Sequence, residues 1–133
     1  MANVEPCIAI VDDEAPVRVA LGRLLRLADY AVDSFDSAEK FLASLATRRP
    51  ACVILDVNMP GLSGFDVQSQ LRAADIKVPV VFITGSDESA LVQAALDAGG
   101  VRLLRKPFSN DALLEAVGVA LHGDLPGASW VKS

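Results

Sequence analysis

The sequence is poor in several things that would point to other classes of protein. It holds two cysteines and one histidine among 133 residues. A cysteine-based metal site would need more ligands than Cys7, Cys52 and His122 supply. The two cysteines lie inside apolar stretches, so the expectation is two buried, reduced thiols in a cytoplasmic protein. Basic residues are also few. Twelve Lys and Arg stand against seventeen Asp and Glu, a formal net charge of -5. That balance argues against a nucleic-acid surface, which needs a basic patch. No apolar run approaches the roughly 20 residues that cross a bilayer; stretches such as Val78 to Ile83 are far shorter. The opening Met1-Ala2-Asn3-Val4-Glu5-Pro6 lacks the basic flank and apolar core of a secretory leader, so neither export nor membrane attachment is expected.

What the chain does have is apolar content, 52% of its residues, arranged as short runs alternating with longer segments of helical period. Cys7 to Val11, Tyr30 to Phe35, Ala51 to Leu55, Val80 to Ile83 and Val101 to Leu104 read as strands. Between them, Val17, Ala20, Leu21, Leu24, Leu25 and Ala28 recur at helical spacing, with Arg18, Arg23 and Arg26 left for other faces. Asp36 and Glu39 resemble a capping box opening a helix to about Ala46. Further helices are expected over Phe65 to Ala74 and Asp87 to Ala98, the latter stopped by Gly99-Gly100. A last one, capped by Ser109 or Asn110, should run to about Leu121. His122 reads as a surface residue, and Gly123, Pro126 and Gly127 suggest a loose tail.

Five strand–helix repeats with uniformly apolar strands imply a parallel sheet buried on both faces. Right-handed crossovers put helices on both sides, giving a doubly wound α/β fold. Ligands of such folds bind beyond the carboxyl ends of the strands. The residues just past each strand therefore carry the chemistry. They are Asp12-Asp13-Glu14, Asp56, Thr84-Gly85 and Lys106-Pro107. Taken singly, each has a plain structural reading. The acids could favour a helix N-terminus, Asp56-Val57-Asn58 could be a turn, Thr84 a cap and Lys106 a solvated amine.

Gathered at one crevice they suggest more. Two carboxylates about 4 Å apart repel by roughly 4 kcal/mol at an effective dielectric of 20, so three of them call for a counter-charge. Mg²⁺ held by one or two carboxylates together with phosphate oxygens supplies it in many sites. An aspartate can itself be the nucleophile and form an aspartyl phosphate. Phosphoryl transfer needs mainly positioning and charge neutralisation.

Val11-Asp12-Asp13-Glu14, Leu55-Asp56-Val57-Asn58-Met59-Pro60-Gly61, Ile83-Thr84-Gly85 and Lys106-Pro107-Phe108, in this order, resemble the receiver domain of bacterial two-component response regulators. The resemblance covers about Ile8 to Leu121. It implies a flavodoxin-like, five-stranded parallel sheet of order 2-1-3-4-5, with a receiver domain over 1–121 and a tail or linker start over 122–133. By the same resemblance Asp56 accepts the phosphoryl group. Asp13 ligates Mg²⁺ directly and Asp12 through water, Asp56 joins them, and Asn58 lends its backbone carbonyl. Thr84 and Lys106 bind phosphoryl oxygens, and the Lys106–Pro107 bond is cis. Met59, Pro60 and Gly61 shape the loop after Asp56, and Gly64 lies near the next helix start. A sensor histidine kinase or histidine phosphotransfer protein is the implied donor. The implied catalysis is limited to self-phosphorylation and autodephosphorylation. Homodimerisation on phosphorylation is a further implication.

Two other functions compete with this one. A phosphatase resembling the haloacid dehalogenases also uses an aspartate nucleophile, but its second acid is replaced here by Asn58, and its nucleophile strand comes first. A receiver fragment of a helix-turn-helix transcription factor fits the same motifs, with DNA binding left to residues outside this chain. Two positions depart from common receiver patterns. Leu103 stands where many receivers carry an aromatic switch residue, and Arg102 stands where one DNA-binding subgroup has an acidic dimer contact. Switching is therefore expected to use the loop after Thr84 and the helix from Asp87 to Ala98, with Leu103 staying packed.

Overall fold

The computed structural model describes residues 6–85 and 102–122, together with the strand backbone at 131–132. The elements in chain order are β1 (Cys7–Val11), α1 (Ala15–Leu27), β2 (Ala31–Phe35), α2 (Ala38–Ser44), β3 (Cys52–Asp56), α3 (Gly64–Ala73), β4 (Val80–Thr84), β5 (Arg102–Arg105), α4 (Asn110–His122) and β6 (Val131–Lys132). All sheet pairings are parallel, in the order β2-β1-β3-β4-β5-β6. The five expected strands thus lie in the expected 2-1-3-4-5 order. The segment read as a loose tail contributes a sixth, two-residue strand, pairing Val131 with Leu103 and Lys132 with Leu104. The helix expected from Asp87 to Ala98 lies outside the described residues.

Strand periodicity explains why the runs are apolar throughout. Successive side chains point to opposite faces, and here both faces are covered. Ala9, Val11, Val53, Leu55, Val80, Phe82 and Leu103 pack with Phe41 of α2 and with Val67 and Leu71 of α3. Their neighbours Ile8, Ile10, Cys52, Ile54, Val81, Ile83 and Leu104 pack with Leu21 and Leu25 of α1 and Leu113, Ala116 and Val117 of α4. Phe65 meets Phe82 edge-on at 4.9 Å between ring centroids, a favoured aromatic geometry. Cys52 is buried and Cys7 half-buried, both as free thiols. His122 is exposed, as expected. Leu103 is buried in the α2–α3 core. No helix among the described residues is long and apolar enough to cross a membrane.

Helix starts depart from the sequence reading in two places. Asp36 does not cap α2. Ser37 does, its hydroxyl accepting from Lys40 N at 3.2 Å, while Asp36 pairs with the Lys40 amine. Both residue types cap well, and the extended backbone at Ser37 decides between them. The capping box is at α3 instead: Ser63 Oγ accepts from Asp66 N, and an Asp66 carboxylate oxygen accepts from Ser63 N. At α4, Ser109 Oγ accepts from Ala112 N at 3.0 Å.

Candidate functional site

Register delivers the chemistry. Val11 of β1 lies beside Leu55 of β3, Asp56 beside Ile83 of β4, and Thr84 beside Arg105 of β5. The next residues along these strands meet at one edge of the sheet. Backbone hydrogen bonds continue one step beyond the strands: Asp12 N donates to Phe35 O, Val57 N to Ile83 O, and Lys106 N to Thr84 O at 2.7 Å. The Lys106–Pro107 peptide is cis.

Asp12, Asp13 and Asp56 each present a carboxylate oxygen within 4.8 Å of the others. Asp12 and Asp56 are buried, whereas Asp13 faces solvent. Asp12 is fixed on three sides. One carboxylate oxygen accepts from Glu14 N at 2.8 Å, the other from Lys106 Nζ at 3.3 Å, and its carbonyl accepts from Arg18 at 2.7 Å. Asp56 Oδ1 accepts from Asn58 N at 2.9 Å, and its Oδ2 lies 3.7 Å from Lys106 Nζ. Thr84 is fully buried, and its hydroxyl accepts from the Asn58 side-chain amide at 3.0 Å.

Gly64 lets α3 start close beside this edge. A Cβ there would stand 2.8 Å from the Asp56 carbonyl oxygen, too close for any other residue without a shift. Gly61, at φ +80°, holds a left-handed turn in the loop between them.

The electrostatics follow from this crowding. Burial pushes the Asp56 carboxyl up to about 6, with the Asp12 and Asp13 charges adding to the rise. The Asn58 N–H and the Lys106 amine work against it. Burial opposes the charge on Lys106, but the hydrogen bond it donates to Glu14 and the charges of Asp56 and Asp12 override it, so its amine titrates above the ordinary lysine value. Lys106 is therefore a firm cation among several acids.

All six residues singled out from the sequence, Asp12, Asp13, Asp56, Asn58, Thr84 and Lys106, are brought together. Three contacts went unforeseen: the Glu14 carboxylate on Lys106 at 3.0 Å, Arg18 on the Asp12 carbonyl, and the Asn58 amide on Thr84. Glu14 stood in the acidic run, but a run of three acids does not say which way each side chain turns. The donor set suits a hard, oxygen-preferring divalent cation: clustered carboxylates around one amine leave an excess of negative charge, and the three aspartates could hold the ion.

A family model described as the response regulator receiver domain matches residues 8–118. The chain is 36% identical over 123 residues to Nodulation protein W of Bradyrhizobium diazoefficiens, covering 92% of this chain and 54% of that protein. It is 38% identical over 121 residues to the response regulator protein TodT of Pseudomonas putida, covering 91% of this chain and 53% of TodT. The chain thus spans about half the length of these curated relatives. Among solved structures, it is similar to a receiver protein from Burkholderia phymatum at 42% identity and TM-score 0.80, covering 92% of this chain and 99% of that one. It is also similar to the crystal structure of FixJ-N at 33% identity and TM-score 0.83, covering 94% and 98%.

Proposed function

The chain belongs to the receiver domains of bacterial response regulators, and from that premise we propose that it accepts a phosphoryl group on Asp56 and changes conformation in response. The observation that carries the reading is the placement of one buried carboxylate, Asp56, against the Asp12 and Asp13 carboxylates and the Lys106 amine. In the proposed step an Asp56 carboxylate oxygen attacks the phosphorus of a phosphohistidine on a sensor kinase or phosphotransfer protein. The P–N bond breaks, a P–O bond forms, and the departing imidazole takes up a proton. Asp12, Asp13 and Asp56, with the Asn58 carbonyl, would hold Mg²⁺, which supplies positive charge against the incoming phosphoryl oxygens. Lys106 supplies a second cation for those oxygens and Thr84 a hydroxyl. Hydrolysis of the acyl phosphate then resets the domain. Its catalysis is confined to its own phosphorylation and dephosphorylation, in the cytoplasm.

A transcriptional output is the reading its relatives favour, since two of them are named transcriptional regulatory protein FixJ. In that reading this chain presents the switch, and DNA is bound by another domain. A phosphatase role is disfavoured by Asn58, whose amide is engaged with Thr84 and cannot act as an acid.

Incubation with acetyl phosphate and Mg²⁺, followed by mass spectrometry and peptide mapping, tests the proposal. One phosphoryl increment on Asp56 is expected, lost in Asp56→Asn and lost with excess chelator. A phosphate mapped elsewhere, or full phosphorylation in chelator, would overturn it.

A further inference from the structure

Among the described residues, Lys106 Nζ has three carboxylates around it and lies at unequal distances from them. Glu14 is nearest at 3.0 Å, Asp12 follows at 3.3 Å, and Asp56 stands at 3.7 Å. The first two are within hydrogen-bond reach and the third is not. A lysine ammonium is a point charge on a flexible stem, so the competing acids decide where it rests. Asp12 cannot follow the amine elsewhere, because it is fully buried and pinned by the Glu14 N–H. Glu14 is different. Its side chain is 58% exposed, with its Lys106 contact the one hydrogen bond shown for it among the described residues. It also occupies the cap position of α1, yet makes no side-chain cap hydrogen bond there. Its carboxylate is turned to Lys106 instead, tying the β1–α1 loop to the β5–α4 loop.

We propose that Glu14 is a positioning residue that holds the Lys106 amine off Asp56 until a phosphoryl oxygen takes the amine over. The proposal rests on Asp56 being the acceptor. The phosphoryl-binding cation is therefore stored on an exposed acid beside the acceptor rather than on the acceptor itself. Phosphorylation must then exchange one ionic partner of Lys106 for another, and the bridge between the two loops opens as it does so.

Glu14→Gln and Glu14→Ala in the full chain test this. The Lys106 Cε–Hε NMR signal is followed without any phosphodonor. It should shift in both variants, as the amine turns from residue 14 to Asp12 and Asp56. At saturating Mg²⁺, initial phosphorylation by acetyl phosphate should rise about two- to fivefold, the range that breaking one partly exposed ion pair can give. A Lys106 signal unmoved by Glu14→Gln would overturn the proposal, as would an unchanged or slower rate in a chain that is phosphorylated. If the wild-type chain takes up no phosphoryl group, the acceptor reading fails by itself. The Lys106 signal still decides whether Glu14 holds the amine.

Discussion

Val11 and Asp12 are adjacent and equally buried, each with no exposed surface, yet opposite forces hold them. Val11 is one apolar side chain among many in the α2–α3 core, where full burial of such a group contributes about 1.5–3 kcal/mol. Asp12 is a carboxylate out of water, kept there by a backbone N–H and one lysine while facing two further aspartates. The body of the sheet is built for stability. Its carboxyl edge gives some of that stability up to assemble like charges. One residue step separates the two regimes, because the strands continue their hydrogen bonding into the edge.

The contrast can be broken most heavily from the body. Phe82 is fully buried in the middle of β4 against Phe65. Phe82→Ala should cost about 3–5 kcal/mol, the usual range for emptying such a site, measured by urea denaturation. The edge should respond with the opposite sign. The folded-state value of Asp56, about 6, exceeds its ordinary value of 3.8. Ionisation therefore costs the folded protein more than the unfolded chain. Stability of the metal-free protein should fall as pH rises from about 4 to about 6 and stay low above. Asp56→Asn should accordingly stabilise the fold at neutral pH by about 2–3 kcal/mol, and the gain should vanish near pH 4. Equal stability of the two proteins at pH 7 in chelator would remove the strain ascribed to this edge.

Gly64 joins the two regimes, since α3 begins against the Asp56 carbonyl. Gly64→Ala should cost about 1–3 kcal/mol as an overpacking change and shift the Asp56 and Asn58 amide resonances. A remote core change of equal cost should leave those resonances in place. The smallest effect belongs to the α3 cap: Ser63→Ala should cost about 1 kcal/mol and leave the phosphorylation rate at saturating Mg²⁺ as it was.

Much of this arrangement is legible in the sequence because both rules involved are local. A strand buried on both faces must be apolar throughout, which marks Ile8–Val11, Val53–Leu55 and Val80–Ile83 without any long-range knowledge. Polar residues directly after such runs must then lie at the sheet edge, which marks Asp12, Asp56 and Thr84. What stays hidden is side-chain direction. Asp36 and Ser37 are both good caps, and only the backbone at Ser37 settles which acts. Ser63 and Asp66 have the spacing of a capping box but are overshadowed by the loop residues before them. Asn58 invites attention for its backbone, yet its amide spans to Thr84. Arg102 draws notice in the sequence only as a basic residue at a position that is acidic in one receiver subgroup. It is in fact a guanidinium with no exposed surface, and among the described residues its carboxylate partner is Glu115 at 3.9 Å. The strand at Val131–Lys132 follows two glycines and a proline, and no local pattern announces that the β5 edge receives it.

The ladder bonds that run past the strand ends have a consequence for how this edge fluctuates. The amides of Asp12, Val57 and Lys106 donate to carbonyls within the neighbouring strands, so they belong to the sheet's cooperative unit and not to the loops that follow. Their protons should exchange with deuterium only when the sheet opens as a whole, on the slow scale of Ile10 or Ile54, although they flank the acceptor carboxylate. The amides of Asp13, Gly61 and Leu62 should exchange far sooner. Chemical change at Asp56 would then act on a backbone that is nearly immobile on its strand side and compliant only beyond it. Motion started at this edge would travel outward, into the loops, and not back along the strands.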